Sequence, residues 1–197
     1  MRKPTKDRAQ ILCELTEVFR QNGYDGTTLS KLTEKTGLER ASLYHYFPGG
    51  KRAMAEAMLT QVLDELSETV LAALNSSSPP TQRLTAMLDA THDFYNGGQD
   101  LCFVSIFAIG ENSDHITSTL RQAVMSWLDS LETTLGDAGK PDARSLANVG
   151  LSCIQGGLVL AGVTRNSQPF VDAISFLRQA WCVDCDDDST RVEGVKG

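Results

Sequence analysis

The chain has 197 residues, of which 41% are hydrophobic, 7% aromatic and 22% charged. This composition is close to that of soluble globular proteins, and it excludes a globally disordered chain, a collagen-like chain and a disulfide scaffold. The length suits one domain with a full core, or a small module joined to a larger one, and it excludes a large multidomain assembly.

The sequence predicts a cytoplasmic protein without a membrane span. The longest apolar runs, around 103–109 and 158–163, are shorter than the roughly 18 residues that a span requires. The basic N-terminus precedes an amphipathic stretch and not a continuous apolar segment, so we expect no secretory signal. Five cysteines, an odd number, lie mostly in apolar segments, and this pattern predicts free thiols.

The net charge of −7 is unevenly distributed along the chain. Residues 1–59 contain ten Lys and Arg against seven Asp and Glu, a net charge of +3, which leaves −10 for residues 60–197. A local basic surface decides whether a protein binds a polyanion, whereas the total charge mainly affects solubility. The split therefore indicates a basic N-terminal module joined to an acidic remainder.

The N-terminal module is predicted to contain three helices. Apolar residues recur at helical spacing over 6–22, and Gly23 follows the last of them. Thr27 or Thr28 is suited to cap a second helix over 29–35, and after Gly37 a third helix is expected over 39–46. Two short helices joined by a glycine-containing turn are typical of a helix-turn-helix, although other small helical bundles share this spacing.

The rest of the chain also has helical periodicity. One long helix is predicted from Lys51 to Leu74, followed by helices over about 81–96, 101–111, 114–136, 142–165 and 168–182. No alternating strand pattern competes, so the predicted fold is all-α. We expect a helix-turn-helix domain over 1–52, a larger helical ligand-binding and dimerisation domain over 53–182, and a mobile tail over 183–197.

The segment from Thr27 to Lys51 resembles the DNA-binding domain of TetR-family transcriptional repressors. The resemblance lies in the entry threonine, the turn glycine Gly37, an aromatic-rich helix end and the sequence Phe-Pro-Gly-Gly-Lys. That last element is similar to the subgroup that includes multidrug-binding repressors. The match covers roughly residues 6–55, and the remainder agrees only in length and helix count.

The resemblance implies a dimeric repressor that binds double-stranded operator DNA and responds to a small-molecule effector, without a cofactor or a metal. Base contacts are expected from the start of the third helix and phosphate contacts from its surroundings. The implied DNA-binding residues are Thr28, Arg40, Ala41, Ser42, Tyr44, His45, Tyr46 and Lys51.

One departure affects these assignments. Relatives often have Tyr-x-His-Phe, whereas this chain has Tyr44-His45-Tyr46-Phe47, so Tyr46 occupies the usual histidine position. The alternative for Tyr44 and Tyr46 is packing against the following helix, and a tyrosine can do both because its body is apolar and its tip polar.

The resemblance also implies that the last two long helices form the dimer interface. The predicted interface residues are Gly150, Cys153, Gly157, Ala161, Phe170, Ile174, Leu177 and Trp181. The alternative is a tightly packed helix inside one chain.

Aromatic and methionine side chains are suited to line a pocket for an apolar or aromatic effector, and the alternative is that they belong to the hydrophobic core. The pocket candidates are Met87, Phe94, Tyr95, Phe103, Phe107, Met125 and Trp127.

Three other functions are alternatives to a ligand-responsive repressor: a thiol-based sensor, an enzyme and a protein-interaction module. Cys102 is predicted to begin a helix, which lowers a thiol pKa, so an electrophile-sensing or redox-sensing repressor is one alternative and a buried, unreactive cysteine another. The chain has no phosphate loop, zinc-protease motif or nucleophile elbow, so we expect no enzyme. A helical protein-interaction module without DNA binding is the remaining alternative.

Overall fold

The computed structural model describes residues 6–100, 102–108 and 114–182. Over these residues the chain forms nine α-helices and no strand, so the predicted all-α fold with an N-terminal helix-turn-helix is confirmed. The predicted tail over 183–197 lies outside the described residues.

The N-terminal module consists of α1 (Arg8–Gly26), α2 (Leu29–Thr36) and α3 (Arg40–Tyr46). The helical path of α1 is interrupted where the sequence predicts, because Gly23 has a φ of 67°. Gly37 ends α2 with a φ of 63°, and this left-handed turn allows the chain to enter α3. The three helices share a buried core, in which Ile11, Leu32 and Leu43 have no exposed surface.

Helix α4 (Gly50–Leu66) connects this module to the rest of the chain. It continues without interruption through a π-helical turn, Ser67–Leu71, and a last helical turn, Ala72–Leu74. The predicted domain boundary at 52/53 falls in the first turn of α4. The helix is therefore continuous there, and the boundary itself stays a prediction.

The larger domain contains five more helices. Their bounds are α5, Pro80–Phe94; α6, Phe103–Ala108; α7, Asp114–Asp137; α8, Ala143–Thr164; and α9, Gln168–Cys182. A 3-10 turn, Asn96–Gly98, follows α5. Helix α6 covers the middle of the predicted helix over 101–111, of which residue 101 and residues 109–111 lie outside the described part.

Helix α8 is the centre of the larger domain, because it packs against both α7 and α9. By length and composition it is apolar enough to cross a membrane, a feature that the short apolar run at 158–163 did not indicate. Core helices of soluble proteins meet the same criterion. The inward side of α8, with Leu151, Ile154 and Leu158, is buried in the core of this chain.

Candidate nucleic-acid interface and effector cavity

The N-terminus of α2 is an exposed helix end with a threonine cap. The backbone N–H of Lys31 donates to Thr28 Oγ1 at 3.3 Å, as the sequence predicts for a cap. Lys31 is exposed, and its ammonium donates to the Gly26 carbonyl at 3.0 Å, beside this helix end. Positive charge and free N–H groups at a helix N-terminus favour a phosphate. Lys31 was not selected from the sequence, although a cation three residues after a capping threonine is a readable signal.

Helix α3 presents a polar face outwards and an apolar face inwards. Leu43 and Phe47 are buried, whereas Arg40, Ala41, Tyr44 and His45 are exposed. The guanidinium of Arg40 lies 3.4 Å from Ser30 Oγ and stays accessible. Ser42 is half-buried. The beginning of α3 is therefore accessible from solvent.

The two tyrosines of α3 have different surroundings. Tyr44 is 43% exposed and lies against Gly50, where a Cβ would approach its Cε1 to 3.2 Å. Tyr46 is half-buried, and its hydroxyl donates to the Lys6 carbonyl at 3.0 Å. The ring of Tyr44 therefore lies against the beginning of α4, as the packing alternative states, while part of it stays exposed; the hydroxyl of Tyr46 is bonded to the segment before α1.

Lys51 makes its contacts within the protein. Its ammonium donates to the Tyr24 carbonyl at 3.1 Å and lies 4.4 Å from the centre of the Tyr24 ring. A phosphate contact was expected at this position because the lysine begins the helix after α3. The contact with Tyr24, 27 residues earlier in the chain, places Lys51 at the junction between α1 and α4, and its phosphate contact stays a prediction.

A cavity of about 420 Å³ lies between α4, α6, α7 and α8. This volume is in the range of small-molecule sites, roughly 300–1,000 Å³. None of the described side chains that line it carries a charge. They are Leu66, Phe103, Val104, Ala123, Val124, Trp127, Leu128, Asn148, Leu151, Ser152 and Gln155.

Two of the predicted pocket residues, Phe103 and Trp127, line this cavity. The other candidates lie elsewhere: Met125 is 42% exposed on α7, whereas Met87, Phe94, Tyr95 and Phe107 are buried core residues. Phe94 and Tyr95 pack edge to face with centroids 4.8 Å apart, and Tyr95 stacks on Phe103 at 6.3 Å. These aromatic rings support the wall behind Phe103 and do not line the cavity themselves.

Three polar residues of α8, Asn148, Ser152 and Gln155, line the cavity and were missed from the sequence. Aromatic and methionine residues are the side chains expected in an apolar pocket, and the small residues of α8 indicate close helix packing, so neither pattern predicts these three residues. Their spacing of four and three residues places them on one side of α8, which is the signal that could have found them.

Cys102 is 2% exposed and lies against Gln155, whose Oε1 accepts a hydrogen bond from the thiol. The backbone N–H of Ser105 donates to Cys102 Sγ at 3.4 Å. Burial raises the pKa of Cys102, and the hydrogen bonds from the start of α6 only partly offset it. The expected lowering of the pKa by the helix N-terminus is therefore outweighed.

The other two cysteines whose side chains are described differ in exposure. Cys13 is exposed, although the cysteines of this chain lie mostly in apolar segments, and Cys153 is half-buried. Cys13, Cys102 and Cys153 are all free thiols, as the sequence predicts. Cys13 is consequently the most accessible of them.

The contact between α8 and α9 is unusually close. A Cβ at Gly150 would overlap the ring of Trp181, and one at Gly157 would lie 3.0 Å from both Phe170 Cα and the Pro169 carbonyl oxygen. The predicted interface residues that are buried in this contact within one protomer are Gly150, Gly157, Ala161, Phe170, Ile174, Leu177 and Trp181. The structure therefore assigns them to the alternative of internal packing.

A different face of the same two helices is apolar and exposed. On α8, Val149, Leu160 and Val163 are 53%, 55% and 78% exposed, and Val159 is 46% exposed. Phe176 on α9 is 59% exposed. We call these five residues the apolar patch. Gly156 lies in the same stripe of α8, and an added Cβ there would meet nothing within 4 Å.

Comparison with known proteins identifies both parts of the chain. Residues 11–58 match the family described as bacterial regulatory proteins, tetR family. Residues 80–175 match the family described as transcriptional regulator LmrA/YxaF-like, C-terminal domain. The HTH-type transcriptional regulator LmrA of Bacillus subtilis (strain 168) is 24% identical over 170 residues, which are 83% of this chain and 90% of LmrA.

Solved structures share the fold. A TetR transcriptional regulator from Legionella pneumophila superposes with a TM-score of 0.77 at 19% identity, covering 91% of this chain and 100% of that one. A cysteine mutant of the regulator CifR, in a structure with 26-base-pair operator DNA, gives a TM-score of 0.68 at 19% identity over 91% of this chain and 100% of its own.

Proposed function

Because the chain belongs to the TetR family of transcriptional regulators, we propose that it binds operator DNA as a two-fold dimer and releases it when a small molecule fills the cavity. The observation that carries the proposal is that one chain combines an exposed beginning of α3 with an apolar cavity, and that α4 extends from the N-terminal module to the wall of this cavity. The site of action is the cytoplasm, where operator DNA lies.

The DNA-binding part rests on the exposed beginning of α3. In a helix-turn-helix, the first residues of the second helix reach base edges in the major groove, while the preceding helix contacts the backbone. Arg40 is suited to donate two hydrogen bonds to a guanine. Thr28 and Lys31 at the start of α2 are suited to hold a phosphate.

Dimerisation is proposed through the apolar patch. A single α3 contacts only a few base pairs, so specificity requires two copies on half-sites about 34 Å apart. An exposed apolar stripe on two adjacent helices is unusual for a monomer and is typical of an interface. A two-fold axis at the patch buries the same residues of both protomers.

Two routes connect the cavity to the DNA-binding module. Leu66 at the end of α4 lines the cavity, and Lys51 at the beginning of α4, about 22 Å away along the helix, contacts Tyr24. Phe103 lines the cavity from α6, and Phe107 of the same helix has its ring centroid 6.2 Å from that of Tyr24. Both routes converge on Tyr24 in α1.

The proposed release follows from this convergence. A ligand that displaces Leu66 or Phe103 moves α4 or α6 relative to Tyr24 and thereby changes the distance between the two α3 helices of the dimer. It shifts the equilibrium only as far as it binds the released state more tightly than the DNA-bound state. The ion pair between Arg20 of α1 and Asp100, just before α6, adds a polar contact at the same junction.

The test is enrichment of bound sequences from a random duplex pool by the full-length protein. The proposal predicts a two-fold symmetric sequence with half-sites one helical turn apart, and binding that weakens steeply with salt. Failure to enrich any sequence, together with salt-independent retention, would favour a helical interaction module instead. Enrichment of a single asymmetric half-site would contradict the dimer.

A further inference from the structure

The cavity contains buried polar groups without partners. Trp127 is 1% exposed, lines the cavity, and its Nε1 has no hydrogen-bond partner within the described structure. Gln155 Nε2 is also buried without a hydrogen bond of normal length, and the hydroxyl of Tyr95, which is likewise buried without one, lies beside it. Buried polar groups in folded proteins are almost always paired, so such atoms in the wall of one cavity require an explanation.

Both groups are donors, and the Gln155 amide has two N–H groups, so one stays available to a ligand when the Tyr95 hydroxyl accepts the other. An indole Nε1 can only donate a hydrogen bond. In Gln155 the carbonyl oxygen Oε1 accepts the thiol proton of Cys102, which fixes the amide with its NH₂ group as the unpartnered end. Cys102 is therefore a positioning residue for Gln155. The inner wall of the cavity therefore offers hydrogen-bond donors to a ligand.

The remaining wall determines the rest of the ligand. The other described side chains deep in the cavity are aliphatic or aromatic, and none of the lining residues is charged. An ionised ligand would be buried without a counter-charge, which is strongly unfavourable. The exposed side chains Asn148 and Ser152 lie where the cavity meets the surface.

We propose that the cavity selects a neutral, largely apolar molecule that carries a hydrogen-bond acceptor, such as an aromatic ketone, and that Trp127 and Gln155 donate to that acceptor. The proposal rests on the proposed function, because it assigns a ligand class to the effector cavity. Trp127 and Gln155 distinguish this ligand class from plain hydrocarbons, and the uncharged lining distinguishes it from anions.

The test compares three probes of similar shape by isothermal titration calorimetry with the full-length protein in the absence of DNA. 9-Fluorenone carries a carbonyl acceptor, fluorene lacks it, and 9-fluorenone-4-carboxylate adds a charge. We expect 9-fluorenone to bind roughly tenfold more tightly than fluorene, because one hydrogen bond to a buried donor is gained. The carboxylate should bind at least about tenfold more weakly than 9-fluorenone.

Variants assign the preference to the two donors. Trp127→Phe and Gln155→Met each remove a donor and keep the apolar bulk, and each should reduce the ketone preference to about threefold or less. Trp181→Phe makes the same chemical change outside the cavity and should leave the preference unchanged. Thermal melts identify any variant that fails to fold, and the other variant then decides the result.

Several outcomes would overturn the proposal. These are equal binding of 9-fluorenone and fluorene, an unchanged preference in both cavity variants, binding of the carboxylate as tight as that of the neutral ketone, and no binding of either neutral probe. Because DNA is absent, none of these results depends on operator binding. Loss of the proposed function would instead appear as a failure of the sequence-enrichment experiment.

Discussion

A charge placed in the apolar patch tests the proposed dimer most sharply. Val163 is 78% exposed, the largest exposed fraction in the patch. Val163→Asp leaves the packing of the protomer unaffected, because the side chain points away from the core. In a two-fold dimer the carboxylate enters the interface twice.

The expected loss of dimerisation free energy follows from the exposed fraction of Val163. Complete burial of a valine side chain contributes about 1.5–3 kcal/mol, so the 78% that is exposed is worth about 1–2 kcal/mol in each protomer. Two copies give about 2–4 kcal/mol, or roughly a 30- to 700-fold increase in the dimer dissociation constant. Desolvation of the new carboxylates increases the effect further.

Sedimentation velocity over a range of protein concentrations measures this change. The matched control is Thr133→Asp, which adds the same charge at an exposed position of α7 outside the patch and should leave the dissociation constant within about twofold of wild type. A Val163→Asp protein that melts normally and remains a dimer at the concentrations where wild type is dimeric would refute the assignment of the interface to the patch.

The remaining predictions concern α8, the thiols and the junction at Tyr24. Gly157→Ala should lower the free energy of unfolding by about 1–3 kcal/mol, because the Cβ meets the backbone of α9, whereas Gly156→Ala should raise it by up to about 1 kcal/mol in denaturant titrations. Iodoacetamide at neutral pH should modify Cys13 and spare Cys102 until the protein unfolds, as peptide mapping would detect; early modification of Cys102 would contradict its burial. Because burial raises the pKa of Cys102 above its ordinary value of 9.0, the folded state keeps a proton that the unfolded state releases, so stability should fall as the pH rises above about 9, and Cys102→Ala should reduce that slope. Tyr24→Leu should retain operator binding but weaken its release by an effector such as 9-fluorenone by about threefold or more, measured by fluorescence anisotropy; undiminished release would exclude Tyr24 from the coupling.

The helices were predictable from the sequence because local patterns determine them. Gly23 and Gly37 adopt positive φ values where the sequence predicts that α1 and α2 end. The amphipathic spacing within each helix also predicts which side is buried, as for Leu43 and Phe47 in α3. The fold class and the helix-turn-helix could therefore be predicted without knowing which helices contact each other.

The residues that contact each other between different helices could not be predicted from local patterns. Small residues at 150 and 157 indicate a close helix approach, but they do not indicate whether the neighbouring helix belongs to the same chain. The structure places Trp181 and Phe170 of the same protomer there. Lys51 likewise follows the family pattern in sequence, whereas its contact with Tyr24 depends on how α1 packs beside α4.

The cavity shows a further limit of sequence reasoning. Aromatic residues are good candidates for either a core or a pocket, and only their position relative to the empty space separates Phe103 from Phe94. The spacing of Gln155 from Asn148 and Ser152 indicates a shared side of α8, but no local pattern indicates that its amide lacks a normal hydrogen bond. Unpaired polar atoms become visible only when all neighbouring elements are in place.

The most direct test of the central claim, that α3 reads operator DNA, is an anisotropy titration of wild type and Arg40→Ala on the enriched sequence and on a scrambled duplex. The account predicts that Arg40→Ala reduces discrimination between the two duplexes by about 1–3 kcal/mol, while affinity for the scrambled duplex changes little. Lys51→Met serves as the control and should preserve discrimination, because its ammonium is engaged with Tyr24. Equal losses on both duplexes for Arg40→Ala, or full discrimination without Arg40, would contradict base recognition by this helix.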